Sequence, residues 1–117
     1  MDTVAHDFLV KILETPSASG YEEPVQKLVR EYLKSCAETI ETDAHGNVLG
    51  TANPGGSCRM FLAGHSDPIG LLVQYIDADG YIFVQPIGGW DPMPLLGTHV
   101  VIWTASGAVP GVLSRPP

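Results

Sequence analysis

The chain has 117 residues, with 6 Lys and Arg against 13 Asp and Glu, for a formal net charge of -7. That balance excludes a binder of the nucleic-acid backbone, which needs basic side chains to neutralise phosphates, and an adhesive of anionic membranes. Apolar residues at 44% suffice for a globular chain with a core, and no apolar run reaches the roughly 18 residues of a membrane span.

Val4, Phe8, Leu9, Ile12 and Leu13 recur at helical spacing, with polar Asp7 and Lys11 between them. This predicts a helix from about Thr3 to Leu13, held on a core by one stripe. Thr15-Pro16 ends it, because the residue before proline avoids the helical region. Pro16-Ser17-Ala18-Ser19-Gly20 is then a loop. Pro24 suits the first turn of a second helix, with Glu22 and Glu23 at its positive end. Val25, Leu28, Val29, Tyr32 and Leu33 form its apolar face, to about Cys36.

From Glu38 onward, short β-prone runs alternate with turn residues. Strands are expected over Thr39–Thr42, Val48–Thr51, Arg59–Ala63, Ile69–Ile76, Tyr81–Gln85, Val100–Thr104 and Val109–Leu113. His45-Gly46-Asn47 and Asp77-Ala78-Asp79-Gly80 read as hairpin turns, and Asn53-Pro54-Gly55-Gly56-Ser57 as a connector. Two helices followed by strands predict a mixed α/β class rather than a repeating βαβ array. No closing helix follows the last strand before Arg115-Pro116-Pro117, so the expectation is a truncated chain or one that depends on a partner. Cys36 and Cys58 belong to no cysteine framework, and the acidic, amphipathic start is unlike a secretory leader. Free thiols in a cytoplasmic protein are therefore expected.

The segment most suggestive of chemistry is Met60-Phe61-Leu62-Ala63-Gly64-His65-Ser66-Asp67-Pro68-Ile69-Gly70. A buried-type strand runs into His65, and in extended backbone Asp67 points to the same side. A neutral imidazole is a metal ligand, and a carboxylate receiving its other ring N–H fixes the tautomer. Pro68 keeps Asp67 extended, and Gly70 admits a close neighbour. By itself His-x-Asp is weak and better fits a histidine satisfied by local hydrogen bonds at a strand end, and zinc usually takes three or four protein ligands.

Other candidates have plainer readings. His45 and Asp43 fit a turn and its cap, while His6 and His99 fit structural or exposed roles. Asp77, Asp79 and Gly80 lack the downstream glutamate and the helices of a calcium loop. Ser17 and Ser19 have no evident base to make either a nucleophile. Trp90 and Trp103 fit core or strand-surface packing. No pair of carboxylates suggests a glycosidase.

Several runs, in order, resemble one family: Pro16-Ser-Ala-Ser-Gly-Tyr-Glu, Asp43-Ala-His-Gly-Asn-Val, Ala63-Gly-His-Ser-Asp-Pro-Ile-Gly-Leu-Leu-Val, Ile76-Asp-Ala-Asp-Gly, Gln85-Pro-Ile-Gly-Gly-Trp-Asp-Pro, Leu96-Gly and Pro110-Gly-Val-Leu. The family is metallopeptidase family forty-two, the tetrahedral (TET-type) aminopeptidases, some of whose members are labelled glutamyl aminopeptidase and some endoglucanase or cellulase M. The resemblance implies a co-catalytic pair of divalent ions, zinc or cobalt, that activates water against the first peptide bond of a peptide substrate. It makes His65 a metal ligand and Asp67 its supporting carboxylate. The bridging aspartate, the glutamate pair with its general base, a further aspartate and a final histidine are expected from later sequence, so that this chain alone is expected to be inactive. Pro68 departs from the polar residue usual in the family. The resemblance further implies residues 1–68 as the start of a zinc-peptidase-like catalytic domain. Residues 69–117 would open an inserted β-rich dimerisation domain, through which homodimers build twelve-subunit particles. The alternative is a non-catalytic folding or assembly module.

Overall fold

The first helix, α1 (Thr3–Glu14), begins where Asp2 supplies a cap: its Oδ1 accepts the Ala5 amide at 2.7 Å. It ends at Thr15, which is extended ahead of Pro16. In α2 (Glu23–Leu33), Pro24 lies in the first turn, where a missing N–H leaves no helical bond unmade. This helix stops at Leu33 rather than Cys36. The Ser35 and Cys36 amides bond to the Tyr32 and Leu33 carbonyls at 3.2 and 3.0 Å, a tighter turn than α-helix. Phe8 and Tyr32 stack at 3.9 Å between centroids and fasten α1 to α2.

The computed structural model describes residues 2–91 and 93–115. Pro92, within one of the runs that carry the resemblance, lies outside them, as do Pro116 and Pro117 at the end of the expected second domain.

Three antiparallel hairpins follow the helices. The strands β1 (Thr39–Thr42) and β2 (Val48–Thr51) pair in the register Thr39↔Thr51 to Thr42↔Val48. Asp43 builds their turn. Its Oδ1 accepts the His45 and Asn47 amides, both at 2.9 Å, while Gly46 takes a φ of +88°. The second hairpin is β3 (Gly70–Ile76) with β4 (Ile82–Ile87), bulged between Val73 and Tyr75. Its turn repeats the device: Asp77 Oδ1 accepts the Asp79 and Tyr81 amides, so these aspartates serve a turn. A short 3-10 turn (Met93–Leu95) leads to the third hairpin, β5 (His99–Thr104) with β6 (Gly107–Val112). Trp90 is half-buried, its indole N–H shared between the Gly70 and Ile87 carbonyls at 2.9 and 3.0 Å. Trp103 is exposed on β5.

The β-prone run Arg59–Ala63 forms no strand. An extended segment becomes a strand only when a neighbour accepts and donates along it, and among the described residues none does. Its apolar side chains are therefore displayed: Phe61 is 84% and Leu62 85% exposed.

That exposure is general. Val25, at 1%, is the buried apolar residue of the described chain, covered where α2 meets its neighbours. The radius of gyration is 18.3 Å, against about 13 Å for a compact chain of this length. The accessible surface is 9311 Å², against roughly 6200 Å² expected for a compact chain of this mass. The first hairpin packs on α2 through β2, whereas β3–β4 and β5–β6 do not close on the helices, within extents of 62 × 32 × 30 Å.

Candidate functional site

Three segments meet beside His65. The loop between α1 and α2 brings Ser17, Ala18 and Ser19. The start of α2 brings Gln26, and the β1–β2 turn brings His45 and Asn47. They enclose an open cleft of about 670 Å³ whose lining includes Tyr21, Glu22, Gln26, His45, His65 and Asp67.

Small residues bring the first of these segments into place. A Cβ on Gly70 would lie 2.7 Å from that of Ala18, so only glycine lets the loop rest on the start of β3. The neighbouring serines then reach the His65 segment. Ser17, buried at 4% exposure, donates its hydroxyl to the Ser66 carbonyl at 2.9 Å. Gln26 Nε2 donates to Ser66 Oγ at 3.2 Å. Ser19 Oγ lies 2.6 Å from Asp67 Oδ2.

His65 and Asp67 face each other, as extended backbone predicts. His65 Nδ1 lies 3.1 Å from the Asp67 carbonyl oxygen and 3.2 Å from Asp67 Oδ1. Both oxygens are acceptors when the carboxyl is ionised, so the geometry calls for the proton on Nδ1 and leaves the Nε2 lone pair unused. Nε2 meets no hydrogen-bond partner among the described residues, and the side chain is 86% exposed. The carboxyl of Asp67 is held below the ordinary carboxylate range. The Ser19 hydroxyl is the largest cause, followed by its own backbone amide, with His65 adding a smaller effect and partial burial opposing them.

Other histidines stand apart from this pair. His45 sits across the cleft in a turn, His6 lies on α1 beside Asp7 at 3.6 Å, and His99 is exposed at the start of β5. Cys36 and Cys58 are free and exposed. Among the described residues, no three His, Cys, Asp or Glu side chains converge as a metal site. The donor chemistry present fits one ligand: an imidazole with a bare Nε2 and a carboxylate behind it. Sequence reasoning weighed Ser17 and Ser19 only as nucleophiles and read Gln26 not at all, so their contacts to the His65 segment were missed. The signal for the two serines was the Pro16–Gly20 run, which carried resemblance; Gln26 had none.

The described chain is thus a mixed α/β fold with two helices packed together and a His-x-Asp pair at the edge of a cleft. The chain belongs to the M42 glutamyl aminopeptidase family, whose model matches residues 46–117. It is 38% identical over 108 residues to the lysyl aminopeptidase of Pyrococcus furiosus, covering 92% of this chain and 31% of that protein. Among solved structures it resembles the TET aminopeptidase of a marine sediment thaumarchaeon (TM-score 0.88, 31% identity), covering 96% of this chain and 31% of that one. It also resembles the Pyrococcus horikoshii TET1 peptidase, described as able to assemble into a tetrahedron or a large octahedral shell (TM-score 0.77, 33% identity), covering 95% and 33% of the two chains. The chain thus spans about a third of the length of these relatives. Membership of a metallopeptidase family implies a divalent metal cofactor for the family. No helix is long and apolar enough to cross a membrane among the described residues.

Proposed function

We propose that this chain supplies the opening portion of an aminopeptidase that removes the N-terminal residue of peptides at a centre of two divalent ions, zinc or cobalt. In this reading His65 ligates one ion through Nε2, and Asp67 holds the ring. The observation that carries it is the His65 imidazole, secured at Nδ1 by an ionised carboxylate and bare at Nε2, at the edge of a cleft in a member of this family. Divalent ions so placed polarise a carbonyl and make water a nucleophile near neutral pH. The residues here contribute a ligand, its orienting carboxylate and one wall of the cleft. The remaining ligands and the general base come from sequence beyond this chain, so the chain alone is inactive.

Residues 1–68 belong, on the same proposal, to the catalytic domain and residues 69–117 to an inserted dimerisation domain. Support comes from the packing: α2 contacts both α1 and β2, while β3–β4 and β5–β6 are separate hairpins. The unburied apolar surface of those hairpins, and the assemblies named for the TET1 relative, support a homo-oligomer, dimers building a dodecamer. Two exposed free thiols suit the cytoplasm.

The test is hydrolysis of aminoacyl p-nitroanilides by the full-length protein with added cobalt or zinc. Activity that is abolished by His65→Ala and absent from the 117-residue chain is the expected result. Activity unaffected by His65→Ala would defeat the site assignment. No activity at all in a folded, metal-loaded full-length protein would leave the assembly-module reading in its place.

A further inference from the structure

We infer that Ser19 is a positioning residue for His65: its hydroxyl, 2.6 Å from Asp67 Oδ2, orients the carboxylate whose other oxygen meets His65 Nδ1 at 3.2 Å. The inference deepens the reading of His65 as a metal ligand and rests on it.

Unaided, Asp67 cannot fix the plane of its own carboxylate. The carboxylate torsion is soft, so a contact on one oxygen leaves its plane free to turn. His65 adds little restraint of its own, because its ring is mostly in solvent and held at one nitrogen. A second hydrogen bond to the other oxygen removes the freedom. An ionised carboxylate only accepts, so the Ser19 hydroxyl must be the donor. With Oδ2 occupied in this way, Oδ1 is left for the ring, and Nδ1 must carry the proton.

The hydroxyl is delivered by a turn that is itself secured at several points. Ser17 is tied to the Ser66 carbonyl, and Ala18 is seated on Gly70. The Tyr21 amide bonds to the Ala18 carbonyl at 2.7 Å, and the Gly20 amide to Glu22 Oε1 at 2.8 Å. Gly20, at a φ of +88°, takes the left-handed conformation that reverses the chain there. Ser17 and Ser19 thus divide the work: the first docks the loop on the backbone, and the second touches the functional carboxylate.

The experiment uses the full-length protein with ¹⁵N-labelled histidine, the His65 signals being assigned by their loss in His65→Gln. Ser19→Ala, Ser19→Thr, Ser19→Val and Ser17→Ala are compared by ring nitrogen shifts and by zinc affinity, with folding checked by circular dichroism. In the unsubstituted protein Nδ1 is protonated and Nε2 is not. Ser19→Ala is expected to move both signals toward tautomer averaging and to weaken zinc by about 10-fold, the lower end of what outer partners of metal ligands contribute. Ser19→Thr restores both readouts, and Ser17→Ala, which loosens one of several points that hold the loop, moves the ring signals less than Ser19→Ala does. Should Ser19→Ala not fold, the near-isosteric Thr and Val variants, with and without a hydroxyl, decide the question. Unchanged ring signals without the hydroxyl, or an equal change in Ser17→Ala, overturn the proposal. Ring signals that respond to Ser19 but never to zinc uphold the positioning role and overturn His65 as a ligand.

Discussion

Gly70 and Ala18 are in contact so close that no side chain fits between them: a Cβ on Gly70 would stand 2.7 Å from the Ala18 Cβ. The pair sets the height at which the α1–α2 loop sits on the His65 segment. Gly70→Ala must displace that loop or the start of β3, and overpacking of this kind costs about 1–3 kcal/mol. Guanidinium unfolding of the full-length protein is expected to show that loss. Adding Ala18→Gly removes the offending methyl and should recover most of it. A Gly70→Ala protein as stable as the parent would contradict the contact.

Asp67→Asn keeps the shape of the side chain and removes its charge. The amide can offer the ring either an oxygen or an NH₂, so the preference for the Nδ1-protonated tautomer is lost. On the proposed role, zinc affinity of the full-length protein falls roughly 10- to 100-fold. Calorimetric titration reads this directly, and an unchanged affinity would separate Asp67 from the site.

What the sequence revealed and what it withheld divide along the range of the interactions. The strands Thr39–Thr42 and Val48–Thr51 were legible to the residue, because Asp43, Gly46 and Asn47 form the turn between them from neighbouring atoms. The approach of His65 to Asp67 was legible for the same reason, since two residues separate them. Arg59–Ala63 has the composition of a buried strand and is not one, because composition does not name a partner. Ser19 was weighed as a nucleophile and its contact with Asp67 missed, because that partner lies 48 positions away and no local pattern connects them. The family's shared runs did connect them, as resemblance without a mechanism.

Asp43 offers a test of the β1–β2 turn by pH. The Asn47 side chain, and then its backbone amide, hold the Asp43 carboxyl below its ordinary value, with the His45 amide adding to them. A depressed folded value means that the ionised form is favoured by folding. The contribution is present above the unfolded pKa, about 3.9, and is lost as pH falls through the folded one. Asn47→Ala removes the largest cause, so the Asp43 titration followed by carboxyl ¹³C shifts should move upward. The ordering of the Gly46 amide should also be lost at a higher pH than in the parent. A titration that stays in place would assign the depression to some other group.

Phe61 and Leu62 allow the exposed run to be tested with opposite expected signs in two settings. In the 117-residue chain these side chains are in water, with no backbone partner among the described residues. Exposed apolar segments with free edges associate, so Phe61→Lys or Leu62→Lys should reduce self-association, read by sedimentation velocity. On the domain assignment proposed above, a catalytic sheet in the full-length protein would cover this run and bury at least one of the two positions. Lysine at that position places a charge in an apolar layer, and thermal unfolding should shift to lower temperature or be lost. Alternation along a strand predicts that Phe61 and Leu62 differ in severity, since successive side chains point to opposite faces. A full-length protein indifferent to lysine at both positions would show that this run stays exposed, and that His65 is not carried on the end of a buried strand.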